Sequence, residues 1–142
     1  MITRKILIGI DTGTNTGFAV YNITGRILER VDCLMIHDAI LQVIQYHTDP
    51  SVEIHRVRVE DARLARFGRQ NQRDSFKLQG AGSVKRDASI WEDFLTTYKI
   101  PFEMVRPNKR ITKWDSSTFK NYFKWPGRTN SHSRDAALLV VQ

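Results

Sequence analysis

The chain has 142 residues, a length typical of one domain with its own core, and we expect a single domain over residues 1–142. It carries 22 Lys and Arg against 15 Asp and Glu, and the resulting net charge of +7 favours a polyanionic partner. The single cysteine, Cys33, excludes an internal disulfide. With no long apolar run for a signal peptide or a bilayer span, the sequence predicts a cytoplasmic protein with no membrane partner.

The first half of the chain predicts four strands and one helix. Apolar runs between turn signals predict three strands that form an antiparallel meander, at Ile6–Ile10, Phe18–Tyr21 and Arg26–Met35. Apolar residues then recur at helical spacing over Ile36–His47, before Asp49-Pro50 ends the helix. A fourth strand is predicted over Ile54–Val59.

The second half begins with a polar segment rich in arginine and glycine, Ala62–Gly82, which predicts a loop or mobile segment with room for a helical turn. The rest predicts one strand and three helices, so the element order is mixed α/β. The first is an amphipathic helix over Val84–Tyr98, whose apolar stripe is formed by Val84, Ala88, Trp91, Leu95 and Tyr98. It is followed by a strand (Phe102–Val105), a short basic helix (Thr118–Trp125) and a final helix capped by Asn130 or Ser131.

Aromatic residues are interleaved with basic ones in the stretch from Arg106 to Arg128. In such a stretch basic side chains can bind phosphates while aromatic faces stack on unpaired bases. Phe119, Tyr122 and Phe123 have helical spacing, which favours packing in the core. Trp114 and Trp125 lie nearer to loop signals, and both alternatives stay open for them.

Three acidic residues lie at the ends of apolar runs. Asp11 and Glu60 each close a predicted strand, and Asp135 opens the apolar run that ends at Val141. A buried carboxylate is costly without a partner. Three such groups brought together by folding would form an oxygen-rich site for a hard divalent cation. On a basic chain, such a site indicates metal-dependent cleavage of nucleic acid.

His132 precedes Asp135 by three residues, and residues three apart share one face of a helix. The two side chains can therefore reach the same ion, and an imidazole ligand suits Mn²⁺ or Zn²⁺ better than Mg²⁺. The alternative is a solvated or capping pair at a helix start, where Asp135 would favour the N-terminal dipole.

Neighbouring strand residues face opposite sides of a sheet, so only one of Glu60 and Asp61 is expected to enter the site. Glu60 shares the strand phase of Ile54, and we expect Asp61 to be an outer hydrogen-bonding or solvated group. Three basic side chains are candidates to neutralise a phosphate at the site: Arg110, Lys113 and Lys120.

Several short motifs resemble those of RuvC-type Holliday junction resolvases, which belong to the ribonuclease H-like superfamily. They occur in the same order along nearly the whole chain. They are Ile8-Gly-Ile-Asp11-Thr-Gly13, Thr16-Gly-Phe-Ala-Val-Tyr21, Val59-Glu60, Gly80-Ala-Gly-Ser-Val84 and His132-Ser-Arg-Asp135-Ala136. The short chain is similar to phage-encoded versions, which would place it in a bacterial or infected host cell.

The resemblance implies a five-stranded mixed sheet in the order 3-2-1-4-5, flanked by helices. It implies a homodimer that nicks opposed strands of a four-way DNA junction symmetrically, with the helix Val84–Tyr98 in the interface. The site would hold two Mg²⁺ or Mn²⁺ ions on Asp11, Glu60, His132 and Asp135. Many relatives have aspartate where this chain has His132, so the resemblance leaves the choice between Mg²⁺ and Mn²⁺ open.

The same resemblance places the loop Arg63–Arg73 at the centre of the junction, with Phe67 as the aromatic that separates base pairs. The residues expected to contact DNA are Arg63, Arg66, Phe67, Arg69, Arg73, Lys109, Arg110, Lys113 and Lys120. Lys113 or Lys120 would also stabilise charge on the cleaved phosphate.

Three alternatives remain at this stage. The same acids would serve a broader nuclease of this superfamily that cuts flaps, forks or structured RNA. The segment Ile10–Gly17 also resembles the first phosphate loop of actin-like ATPases and sugar kinases, but the chain lacks a second such loop and their length. A binding module without catalysis would use the basic surface alone.

Overall fold

The computed structural model of the chain describes residues 1–65, 74–107 and 114–141. Within these ranges the fold is α/β, with a mixed sheet of five strands and helices against both faces. The strands are β1 (Arg4–Asp11), β2 (Asn15–Asn22), β3 (Ile27–Met35), β4 (Val52–Glu60) and β5 (Phe102–Val105). The helices are α1 (Ile36–Thr48), α2 (Asp74–Thr97), α3 (Ser116–Phe123) and α4 (Ser131–Val140), and a single 3₁₀ turn covers Ala62–Leu64.

The strand order in the sheet is β3-β2-β1-β4-β5, which confirms the predicted order. The first three strands form the predicted antiparallel meander. β4 then pairs with β1 in parallel, and β5 pairs with β4 in parallel. The parallel pairing brings the carboxyl ends of β1 and β4 to the same edge of the sheet, where Asp11 and Glu60 lie.

Two hydrophobic cores cover the two faces of the sheet. The first core joins alternate residues of β1 and β4, among them Ile8, Ile10 and Val59, to buried residues of α1 and α2. The second core joins the opposite faces of β2 and β3 to α3 and α4. Because side chains alternate along a strand, the residues that follow Ile10 and Val59 point toward the second core.

The predicted loop over Ala62–Gly82 is wrong in its second part, because α2 already begins at Asp74. Gly80 and Gly82 were interpreted as breaks, yet both lie inside the helix. A glycine inside a helix costs only about 1 kcal/mol relative to alanine. The apolar stripe of α2 accounts for the tolerance, since Ala88, Trp91 and Leu95 are fully buried as predicted.

Two aromatic residues predicted to be buried are exposed instead. Tyr98 follows the last residue of α2, where the left-handed backbone of Lys99 (φ 56°) ends the helix. Tyr98 is 50% exposed and packs against the ring of Phe94. On α3, Phe119 is fully buried and Phe123 half-buried, but Tyr122 is 70% exposed. None of the helices in the described ranges combines the length and apolar character that a membrane crossing requires.

Candidate functional site

Asp11 and Glu60 lie next to each other at the ends of two parallel strands. The parallel register of β1 and β4 ends with the pair Ile10 and Val59, and Asp11 and Glu60 are the next residues of the two strands. Ile10 and Val59 belong to the core on the α1 and α2 side, which directs Asp11 and Glu60 toward the α4 side. The Asp11 residue is only 8% exposed, and Glu60 is half-buried. Two of the three acids that the sequence groups into one site, Asp11 and Glu60, thus lie at neighbouring strand ends.

The turn after β1 fixes the relative position of these two strand ends. Thr12, which is buried, donates a hydrogen bond from Oγ1 to the carbonyl oxygen of Glu60 at 3.1 Å. Thr16 is also buried, and its Oγ1 donates to the carbonyl oxygen of Gly13 at 2.8 Å. Both threonine hydroxyl groups are used inside the turn, which holds the backbone at Asp11 against the backbone at Glu60.

Helix α4 brings His132 to Asp11. The helix starts with a capping box, in which the Asn130 side chain accepts from the Ser133 N–H and the Ser133 hydroxyl accepts from the Asn130 N–H. This start places the His132 ring so that Nδ1 lies 3.0 Å from Oδ2 of Asp11. The imidazole is 47% exposed and the carboxylate 11% exposed, so the His132 ring lies at the surface and Asp11 lies beneath it.

The contact with Asp11 also selects one tautomer of His132. A carboxylate only accepts hydrogen bonds, so Nδ1 of the neutral ring carries the proton. Nε2 then keeps its lone pair, as in metal sites where a histidine donates its other N–H to a carboxylate. His132 is therefore suited to ligate a cation through Nε2 while it donates to Asp11.

Asp135 lies one turn further along α4, on the face that it shares with His132. It is half-buried and lies outside the first turn of the helix, where the structure finds no acidic residue. Its position therefore gives little support to the alternative in which it favours the helix dipole. The sequence predicts that His132 and Asp135 share one site with Asp11 and Glu60. In the fold, α4 carries His132 and Asp135 to the edge of the sheet where Asp11 and Glu60 lie.

Gly9 and Gly17 allow the backbone of α4 to lie directly against the sheet. This role was not predicted from the sequence. A Cβ atom at Gly17 would lie 1.9 Å from the carbonyl oxygen of His132, and one at Gly9 would lie 2.2 Å from that of Ala136. Both distances are far below any real contact. His132 and Ala136 are four residues apart, so one ridge of helix backbone rests on both glycines.

Asp61 is buried on the opposite side of this strand end and is not solvated. Its side chain is 2% exposed and accepts from Nε and Nη2 of Arg63, at 2.9 Å and 2.8 Å, while Nη2 also lies 3.2 Å from Oε2 of Glu92 on α2. The hydrogen bonds from Arg63 to Asp61 raise the pKa of the guanidinium above its ordinary value. Arg63, predicted to contact DNA, is thus engaged in a clamp between the end of β4 and α2.

Glu60, and not Asp61, was expected to enter the site because it shares the strand phase of Ile54. Ile54 is the wrong reference residue. β4 contains a register shift after Ile54, so that Ile54 and Val57 pack in the same core although they are three residues apart. Ile54 therefore does not share the face of Glu60. The pairing of Val59 with Ile10 gives the face of Glu60 directly.

The donor chemistry of the site fits a divalent cation. Asp11, Glu60 and Asp135 supply carboxylate oxygens, and His132 supplies a ring nitrogen. Within residues 1–65, 74–107 and 114–141, no three such side chains are yet grouped closely enough to hold an ion. Asp11, Glu60 and the α4 pair lie on the same side of the sheet.

Most of the predicted DNA contacts fall outside the described residues, namely Arg66, Phe67, Arg69, Arg73, Lys109, Arg110 and Lys113. Lys120 lies inside them, exposed on α3. The neighbouring Phe119 packs in the same core as Ala136 of α4, which places α3 on the side of the sheet that carries Asp11.

A comparison with protein-family models finds no family whose model matches this chain, and a comparison with curated proteins finds no match. The geometry above and the order of the sequence motifs are therefore what supports a function.

Proposed function

We propose that this protein is a metal-dependent endonuclease of the ribonuclease H-like superfamily that resolves four-way DNA junctions. The observation that carries the proposal is the placement of Asp11 and Glu60 at the ends of two paired parallel strands, on the face that α4 covers with His132 and Asp135. An acid of such low exposure, beside a second acid on a basic chain, favours a cationic ligand over a purely structural role.

The topology supports the superfamily assignment. An antiparallel meander followed by two parallel strands, in the order β3-β2-β1-β4-β5, is the arrangement that the motif resemblance implies. The motif residues also occupy the expected elements, with Asp11 on β1, Glu60 on β4 and the His132/Asp135 pair on α4.

The residues that would hold Mg²⁺ or Mn²⁺, two ions per site, are Asp11, Glu60, Asp135 and His132. Such ions, when bound, activate a water nucleophile and stabilise the leaving 3′-oxygen of a phosphodiester. Asp11, Glu60 and Asp135 would supply carboxylate oxygens to the ions, and His132 would supply its ring nitrogen Nε2. Lys120, together with Lys113, would meet the charge of the phosphate.

Each side chain around these donors has a positioning task. Thr12 holds the ends of β1 and β4 together, and the Asn130 cap sets the first turn of α4. The hydrogen bond with Asp11 orients the His132 ring. These contacts would hold the backbone of the site in place for the ions and the phosphate.

The proposed partners are branched DNA and a second copy of the chain, acting in the cytoplasm. Symmetric nicking of a four-way junction requires two active sites related by a two-fold axis. The net charge of +7 supports a polyanionic substrate.

The decisive experiment compares a labelled four-way DNA junction with a linear duplex, a flap, a fork and a structured RNA, each with Mg²⁺ and with Mn²⁺. Paired symmetric nicks confined to the junction are expected. Equal cutting of flaps and forks, or of RNA, would instead identify a broader structure-selective nuclease. Tight binding without cutting under either metal would identify a binding module and refute the catalytic proposal.

A further inference from the structure

Tyr122 is exposed although its surroundings are aromatic. It lies in the last turn of α3, and 70% of its surface is accessible. Its ring packs edge-on against Trp114, with centroids 4.8 Å apart, and against Phe123 at 4.9 Å. These contacts restrict the ring while they leave most of its surface to solvent.

The support beneath this ring is fixed to α4. Arg134 donates from Nε to the carbonyl oxygen of Trp114 and from Nη1 to Oγ1 of Thr129, both at 2.9 Å. Phe119 of α3 packs in the core beside Ala136. Both ends of the α3 segment are therefore tied to the helix that carries Asp135, so the Tyr122 ring has a defined position relative to the candidate site.

The charges around Tyr122 are complementary to a polyanion. Lys124, the C-cap residue of α3 two positions after Tyr122, is exposed, as is Arg128 in the following loop. Lys120 is also exposed but lies two positions before Tyr122 on the helix, toward its other side. From 114 to 130 the sequence contains one acid, Asp115. That carboxylate caps the opposite end of α3 by accepting from the Thr118 N–H.

We propose that Tyr122, supported by Trp114 and accompanied by Lys124, is a stacking site for an unpaired base of nucleic acid. An aromatic face held in place stacks on a base at a low entropy cost, and cations nearby bind the flanking phosphates. This inference rests on the proposed function and deepens it. It implies that the substrate has, in addition to the strand that is cut, an unpaired nucleotide that binds on the α3 side of the sheet.

The test is equilibrium binding of a fluorescent single-stranded oligonucleotide in EDTA, with a fully paired duplex for comparison. Base stacking contributes about 1–3 kcal/mol, so Tyr122→Ala should weaken single-strand binding roughly 5- to 150-fold. Tyr122→Phe keeps the stacking face and should bind as the wild type does. Lys124→Ala should lower the slope of log K against log salt by about 0.7.

Tyr98→Ala is the matched control, since Tyr98 is 50% exposed and likewise packs against a neighbouring aromatic ring, that of Phe94. It should leave single-strand binding unchanged. Wild-type binding by Tyr122→Ala would overturn the inference, and so would equal losses for both tyrosine variants. A loss of self-association in Tyr122→Ala, with binding intact, would overturn it in favour of a protein interface.

The readout separates this inference from the proposed nuclease activity, because no metal is present and no cutting is measured. If the wild type cuts no substrate but Tyr122→Ala loses single-strand binding, the stacking site stands and the nuclease proposal fails. If junctions are cut and the variant binds normally, the nuclease proposal stands and the stacking site fails.

Discussion

Replacement of Gly17 by alanine should disrupt the candidate site without changing any of the proposed metal ligands. Gly17 has an ordinary extended backbone, so alanine meets no conformational penalty there, and the whole effect comes from space. The added Cβ would lie 1.9 Å from the carbonyl oxygen of His132 and 3.0 Å from Cβ of Asp11. Ordinary contact begins near 3.4 Å, so the first turn of α4 must move by about 1.5 Å, the difference between 3.4 Å and 1.9 Å.

Such a displacement exceeds what the 3.0 Å contact between His132 and Asp11 can absorb, and that hydrogen bond should be lost. Overpacking of this kind costs roughly 1–3 kcal/mol. For a chain of this length the melting temperature should fall by about 3–12 °C. Thermal unfolding followed by circular dichroism measures the loss, and calorimetric titration with Mn²⁺ measures the accompanying loss of metal affinity.

Gly82→Ala provides the matched control, because a Cβ at Gly82 would meet no atom within 4 Å. Gly82 lies inside α2, where alanine is the better helix former, so this variant should be neutral or more stable by roughly 0.5–1 kcal/mol. If Gly17→Ala melts at the same temperature as Gly82→Ala, then α4 does not rest on Gly17, and the reasoning about the site geometry is wrong.

Three further changes test other parts of the molecule. Asp61→Ala breaks the buried pair with Arg63 and should cost about 1.5–3 kcal/mol by urea unfolding, whereas Arg56→Ala, which breaks an exposed pair, should cost under about 1 kcal/mol; equal losses would rule out a clamp. A hydrogen bond from the backbone N–H at the start of α3 lowers the pKa of Asp115, so its stabilising effect is complete above the unfolded value of 3.8 and is lost as pH falls below it. Asp115→Ala should therefore be less stable than the wild type at neutral pH and equally stable at low pH; a difference that persists in acid would contradict this sign. His132→Asp should shift cleavage toward Mg²⁺ relative to Mn²⁺, and identical metal profiles would remove His132 from the site.

Much of the fold was accessible from the sequence because strand and helix periods were clear. The predicted strand Phe102–Val105 has the observed bounds, and the antiparallel meander was readable from its turns. The loop preceding Val84 was misread because glycine suggested a break where α2 continues from Asp74. Local propensity is a weak guide when packing further along the same helix stabilises it.

The acids of the site were also accessible, since a charged residue at the end of an apolar strand is conspicuous. The exposure of Tyr122 was not, because helical spacing alone does not say whether a helix has one or two sides covered. The roles of Gly9 and Gly17 depend on a helix that arrives more than 110 residues later in the chain. Only the assembled structure shows which glycines lie under it.

The proposed nuclease activity depends on Asp11 as a ligand of the metal site at which DNA is cleaved. The most direct measurement compares the wild type and Asp11→Asn on one labelled four-way junction, with cleavage followed in Mg²⁺ and binding followed by anisotropy. We expect the variant to lose cleavage while it binds the junction as tightly as the wild type or more tightly, because a metal ligand and a negative charge are removed together. Cleavage at the wild-type rate by Asp11→Asn would contradict the proposal that Asp11 holds a catalytic metal ion.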